Sequence, residues 1–93
     1  MVGASGASAE AAHVRALARA VARLADELRA TRDQALSATG VNWVSAAAGR
    51  YRDRVHEEVV GLTALAGELD DAARLLLAHA AAVEVAAVEE PHR

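Results

Sequence analysis

Apolar residues in the first third of the chain recur at alternating intervals of three and four. They are Val14, Leu17, Val21, Leu24 and Leu28. Such intervals place side chains along one face of an α-helix, at the a and d positions of a heptad. Ser8 is a suitable N-cap, and Gly40 suits the left-handed turn that ends many helices. The pattern therefore predicts a first helix over residues 8–38, after a Gly-rich tip at residues 1–7 that we predict to be disordered.

The same intervals return in the second half of the chain. The large apolar residues of this second stripe are Val55, Val59, Leu62, Leu69 and Leu76, with Leu65 beside them. Asn42 is the predicted N-cap of the helix that carries them. We predict a second helix over residues 44–89, an elbow at residues 39–43 and a short tail at residues 90–93. Residues 8–90 are thus predicted to form a single helical-hairpin domain.

The second predicted helix is longer than the first, so the stretch AAAVEVAAVEE at residues 80–90 has no counterpart in the hairpin. We predict that this overhang is either frayed or a docking surface. Two glycines inside the second helix, Gly61 and Gly67, mark either a close approach of helices or tolerated defects. Four apolar residues fall off the main stripe and are either isolated or part of a second contact surface: Val60, Leu75, Val85 and Val88.

The composition favours an all-α fold that needs a partner. Hydrophobic residues make up 54% of the chain and aromatic residues only 2%, so alanine, leucine and valine dominate. Alanine is the best helix former but offers little apolar area to bury. A lone hairpin is therefore expected to be marginal, and we predict that it dimerises into an antiparallel four-helix bundle. The predicted hairpin and dimer interface comprises Val14, Leu17, Val21, Leu24, Leu28, Val55, Val59, Leu62, Leu65, Leu69 and Leu76.

Charge and side-chain chemistry exclude most other classes of function. The formal net charge is −3 with acids and bases interspersed, which does not favour nucleic-acid binding. Cysteine is absent, and no long apolar stretch lacks a charge, so we expect neither thiolate metal sites nor stable membrane insertion. Glu10 with His13 and Asp53 with His56 have the spacing of bundle metal ligands, but the further carboxylates of such a site are not evident. We expect no metal, no cofactor and no enzymatic activity.

The only Trp of the chain lies at the predicted elbow. It is followed by Val44 and Ser45, then by the small pair Ala47-Ala48 and by Tyr51-Arg52. This order resembles the WXG family of small, ESAT-like type VII secretion proteins in its actinobacterial form, with Ser45 where the family usually has Gly. The residues that would form the secretion motif and elbow are Gly40, Trp43, Val44, Ser45 and Tyr51.

The resemblance implies a hairpin protomer that pairs with itself or with a WXG-like paralogue and is recognised by a type VII secretion ATPase. The family's export signal is Tyr, three residues, then Asp or Glu. Here Tyr51 is the only Tyr, and Val55 stands where the acid would be. The signal is therefore supplied by a partner, is degenerate, or is absent because this relative is not exported.

These observations predict a small WXG-like protein of a type VII secretion pathway, which acts as a secreted substrate or co-secreted dimer partner. It would be cytoplasmic before export and secreted or at the cell surface afterwards. The alternative is a non-exported coiled-coil adaptor or a partner that neutralises a toxin. Trp43 would then only cap the end of the bundle. A third class, an amphipathic protein of lipid surfaces, would gain helicity on adding vesicles.

Overall fold

Two long helices form a hairpin. The computed structural model describes residues 2–39 and 45–89. Helix α1 spans Val2–Thr39, with 38 residues, and helix α2 spans Ala46–Glu89, with 44. The described residues outside the helices are limited to Ser45, which forms a bend. The predicted all-α class and helical hairpin are thus confirmed for the described part of the chain.

Helix α1 begins six residues before the predicted start. Residues 2–7, which we predicted to be a disordered tip, are helical, so Ser8 lies inside the helix and does not cap it. Extending an existing helix requires no new nucleus and adds one hydrogen bond for each residue fixed, and this favours the longer helix although each glycine costs about 1 kcal/mol. At the other end, the hydroxyl of Thr39 donates to the carbonyl oxygen of Leu36 at 2.8 Å. The predicted cap at Gly40 lies outside the described residues.

The helices are grouped into two compact units, each with its own buried residues. The elbow unit, Arg23–Leu69, joins the second half of α1 to the first half of α2. The terminal unit joins Met1–Ala22 to Asp70–Arg93. The buried residues of the elbow unit are Ala25, Ala48, Val55 and Ala66, and those of the terminal unit are Ala11, Ala18, Ala73 and Ala80.

Most buried residues of the two helices are alanines, and three in each helix recur every seven positions. We call this set the alanine seam; its members are Ala11, Ala18 and Ala25 in α1 and Ala66, Ala73 and Ala80 in α2. The spacing of the large apolar residues predicts Leu17 and Leu24 at this contact, but both are about half exposed. A methyl group lets two helices approach closely, and a leucine side chain does not fit in the same gap. The leucines are therefore displaced to the flank of the seam.

The prediction of a C-terminal overhang is wrong for residues 80–89, the described part of that stretch. Because α1 begins at Val2, the two helices are similar in length, roughly 57 and 66 Å. Ala80 is fully buried and Val83 is half-buried. Arg15 of α1 forms an ion pair with Glu84 of α2. The second half of α2 is thus covered by the first half of α1.

The glycines of α2 do not mark a close approach between the two helices. A Cβ atom placed on Gly61 or on Gly67 would meet no atom within 4 Å. Within the chain, both glycines are tolerated defects whose helix propensity costs about 1 kcal/mol each relative to alanine.

Candidate functional site

Ser45 caps the N-terminus of α2, beside the residues that resemble the WXG motif. Its hydroxyl oxygen accepts a hydrogen bond from the backbone N–H of Ala48 at 3.1 Å. Its carbonyl oxygen accepts the first helical bond, from the N–H of Gly49 at 3.0 Å. Both bonds are those of an N-cap. The cap is therefore Ser45, three residues after the predicted Asn42, and α2 begins two residues later than predicted.

The rest of the predicted elbow lies outside the described residues, and this includes Gly40, Trp43 and Val44. Tyr51 is described and is about half exposed in the second turn of α2. Val55, one turn further on, is only 7% exposed. The position where the family's export signal would need an acid is thus an apolar position of the elbow unit's core.

One side of the elbow unit is lined by leucines. In two antiparallel helices, positions at the same offset from the buried seam lie on the same side of the pair. Leu24 and Leu65 both come one residue before a seam alanine, and they are 49% and 44% exposed. Leu28 and Leu69 both come three residues after a seam alanine, and both are half-buried. We call this side the leucine face; in the elbow unit it comprises Leu24, Leu28, Leu62, Leu65 and Leu69.

The terminal unit repeats this arrangement with smaller side chains. Leu17 comes one residue before Ala18 and is about half exposed, while Val21 comes three residues after it and is half-buried. In α2, Leu76 comes three residues after Ala73, as Val21 does after Ala18, and it is also half-buried. Val14 comes three residues after Ala11, two turns before Val21 in α1. Val59, in the elbow unit, comes seven residues before Ala66 and is half-buried.

The opposite side of the terminal unit is charged. Arg15 and Glu84 each come four residues after a seam alanine, and their ion pair joins the two helices there. Both side chains are about 40% exposed. An exposed pair of this kind contributes at most about 1 kcal/mol, so its main effect is to favour one register of the helices. The pair thus lies on the side of the terminal unit opposite Leu17.

Within the described parts of the chain, the structure brings together no group of three or more His, Cys, Asp or Glu residues that could hold a metal ion. Glu10 and His13 are both exposed, as are Asp53 and His56. Neither helix, over its described length, has a stretch that is long and apolar enough to cross a bilayer. What the structure does offer is surface for contact with another molecule.

No model of a known protein family matches the chain, and neither does any curated protein or solved structure.

Proposed function

We propose that the chain is a helix–helix binding protein whose leucine face pairs with a second copy or with a WXG-like paralogue in an antiparallel four-helix bundle. The observation that carries this proposal is the exposure of Leu24 and Leu65 at equivalent positions of two helices whose own contact is filled by alanine. An alanine seam buries little apolar area, and it leaves the leucines for a second contact. Half-exposed leucines on one side are what a further pair of helices would cover.

The accessible surface of the chain supports the same proposal. The surface is 6696 Å² for a mass of 9.6 kDa, whereas a folded monomer of that mass exposes roughly 5,100 Å². A surface that is about 1,600 Å² larger than this is expected where each helix is covered on one side only. The leucine face is an apolar side on which a further contact could form.

We further propose that this pairing serves a type VII secretion pathway, in which the chain is a secreted substrate or a co-secreted partner. The support is the hairpin itself, together with the position of Ser45. Ser45, which stands where the motif usually has Gly, caps α2, so the substitution suits a helix that begins at Ala46. Neither homodimer nor heterodimer is favoured by these residues.

The leucine face can be tested with one acidic substitution. We expect Leu24→Asp to convert a dimer of the purified chain into single chains, because a charge buried between helices without a partner costs several kcal/mol. Leu36→Asp is the matched control, since Leu36 is a similarly exposed leucine of α1 that does not belong to the leucine face. Sedimentation velocity gives the mass of each variant. If Leu24→Asp retains the parent's mass and melting temperature, the leucine face is not the interface.

A non-exported adaptor or toxin-neutralising partner is the second candidate, and the identity of the residue four positions after Tyr51 favours it. That residue is Val55, which belongs to the core of the elbow unit, and not the acid of the family's export signal. A tagged copy should be followed in the culture medium of cells with and without the secretion ATPase, alone and with a neighbouring WXG-like chain. Appearance in the medium only when the ATPase is intact supports secretion. Retention under all of these conditions supports the adaptor.

A further inference from the structure

The outer side of α2 in the terminal unit carries a second apolar surface that the leucine face does not include. Leu75 is 72% exposed and Val88 is 81% exposed. Val85 is half exposed, and Ala78, Ala81 and Ala82 are exposed as well. These residues lie one, two, five or eight positions after a seam alanine, so they face away from α1. We call this surface the back face; it comprises Leu75, Ala78, Ala81, Ala82, Val85 and Val88.

The back face lacks the charges that an outer helix surface usually carries. Between Leu75 and Val88 the only acid or arginine is Glu84, and it pairs with Arg15 on the side of the helix that meets α1. Surface helices normally present charged residues opposite their apolar stripe, whereas a helix that is apolar on all sides is a buried one. The back face is thus suited to being covered by another helix.

We propose that a second copy of the chain covers the back face, with α2 packed antiparallel to the partner's α2. When the two helices cross at Ala81 and Ala82, Leu75 lies opposite Val88 of the partner subunit. The alanines at the crossing allow close approach, and the larger side chains fill the two ends.

Charge selects this register. It places Arg74 opposite Glu89 of the partner subunit at each end of the contact, and the twofold symmetry provides the pair twice. The guanidinium of Arg74 also pairs with Asp71 of its own helix, and its five donors suffice for two carboxylates. A shifted register that sets Leu75 opposite the partner's Val85 would instead bring Asp71 close to Glu89 of the partner subunit, and like charges at that distance repel.

The contact is short, because the segment from Arg74 to Glu89 is roughly 24 Å long. It belongs to the class of small and transient interfaces. The back-face contact does not depend on the proposed function. Its affinity is raised if the leucine faces pair, since two chains joined there present two back faces. The combination of both contacts predicts assemblies of four chains or more.

Charge reversal tests the back face in the full chain. We expect sedimentation velocity at increasing concentration to show assemblies of four chains or more for the wild type. Arg74→Glu or Glu89→Arg alone should reduce the assembly to two chains, and the double variant should restore it. Arg74 and Glu89 are both exposed, so these variants retain the fold, which far-UV circular dichroism verifies. Arg23→Glu, a reversal at an exposed arginine of α1, is the matched control and should leave the mass unchanged.

The variant Leu24→Asp shows whether the back-face contact, the leucine-face contact or both are present. If both contacts form, Leu24→Asp gives two chains, and the combination with Arg74→Glu gives one. A wild type of two chains that Leu24→Asp converts to one overturns the back-face contact and leaves the leucine face standing. Two chains that resist Leu24→Asp but separate with Arg74→Glu support the back face alone. The proposal would also be overturned if the chain cosedimented with phosphatidylglycerol vesicles and formed no assemblies larger than two chains. The back face would then bind lipid.

Discussion

Ser45 shows how a single side chain sets the end of an element. Two residues near the elbow, Asn42 and Ser45, are both good N-caps, and the sequence does not decide between them. The choice depends on where the backbone first adopts helical geometry, which is a property of the path between the helices. The structure gives this role to Ser45, whose hydroxyl satisfies the N–H of Ala48.

Replacing Ser45 should therefore cost stability in a graded way. We expect Ser45→Ala to lower the free energy of unfolding by about 1 kcal/mol, because the N–H of Ala48 loses its acceptor. Ser45→Gly should cost only a few tenths of a kcal/mol. Urea denaturation followed by circular dichroism measures both changes. Ser37→Ala in the exposed surface of α1 is the control, and an equal loss there would show that the cap contributes nothing.

At the level of the helices, the spacing of apolar residues predicted the two elements but not the residues that join them. Leucine and valine carry most of the hydrophobic signal, so the predicted seam was centred on Leu17 and Leu24. The structure centres it one residue later, on Ala18 and Ala25. The seven-residue recurrence of alanine was the available signal, yet alanine is so frequent in this chain that many registers show a similar recurrence.

Enlarging a seam alanine tests this arrangement directly. We expect Ala18→Leu to destabilise the chain by about 1–3 kcal/mol, because the side chain is almost fully buried and the added atoms force the helices apart. Ala16→Leu is the matched control, since Ala16 is exposed on the same helix and the change should be nearly neutral. The midpoints of urea denaturation compare the two variants. A neutral Ala18→Leu would mean that the helices do not meet at the alanines.

For the whole molecule, the sequence predicted that the chain folds back on itself, because two apolar stripes flank one plausible turn. It did not predict which surfaces remain for a partner. Leu24 and Leu75 have the same hydrophobicity, and only their offsets from the seam place them on the leucine face and on the back face. Those offsets follow from the packing of α1 on α2, and the sequence alone left them open.

If the leucine face joins two chains, folding and association are coupled. We expect the melting temperature to rise by roughly 4 °C for each tenfold increase in protein concentration, because mass action favours the paired state. Thermal denaturation followed by circular dichroism over a hundredfold range of concentration measures the slope. A melting temperature that is independent of concentration would show that the hairpin is stable as a single chain.

The alanine seam also shapes how the protein can change over generations. A one-base change in an alanine codon gives valine, threonine, proline, aspartate or glutamate, each of which is larger or more polar, or it gives glycine or serine. Few amino-acid substitutions that arise by a single-base change are therefore expected to be neutral at the seam positions. The adjacent leucines lie in partly open space, so exchanges there change the surface offered to a partner more than the contact between α1 and α2. New partners can therefore be acquired at the leucines while the scaffold beneath them stays fixed.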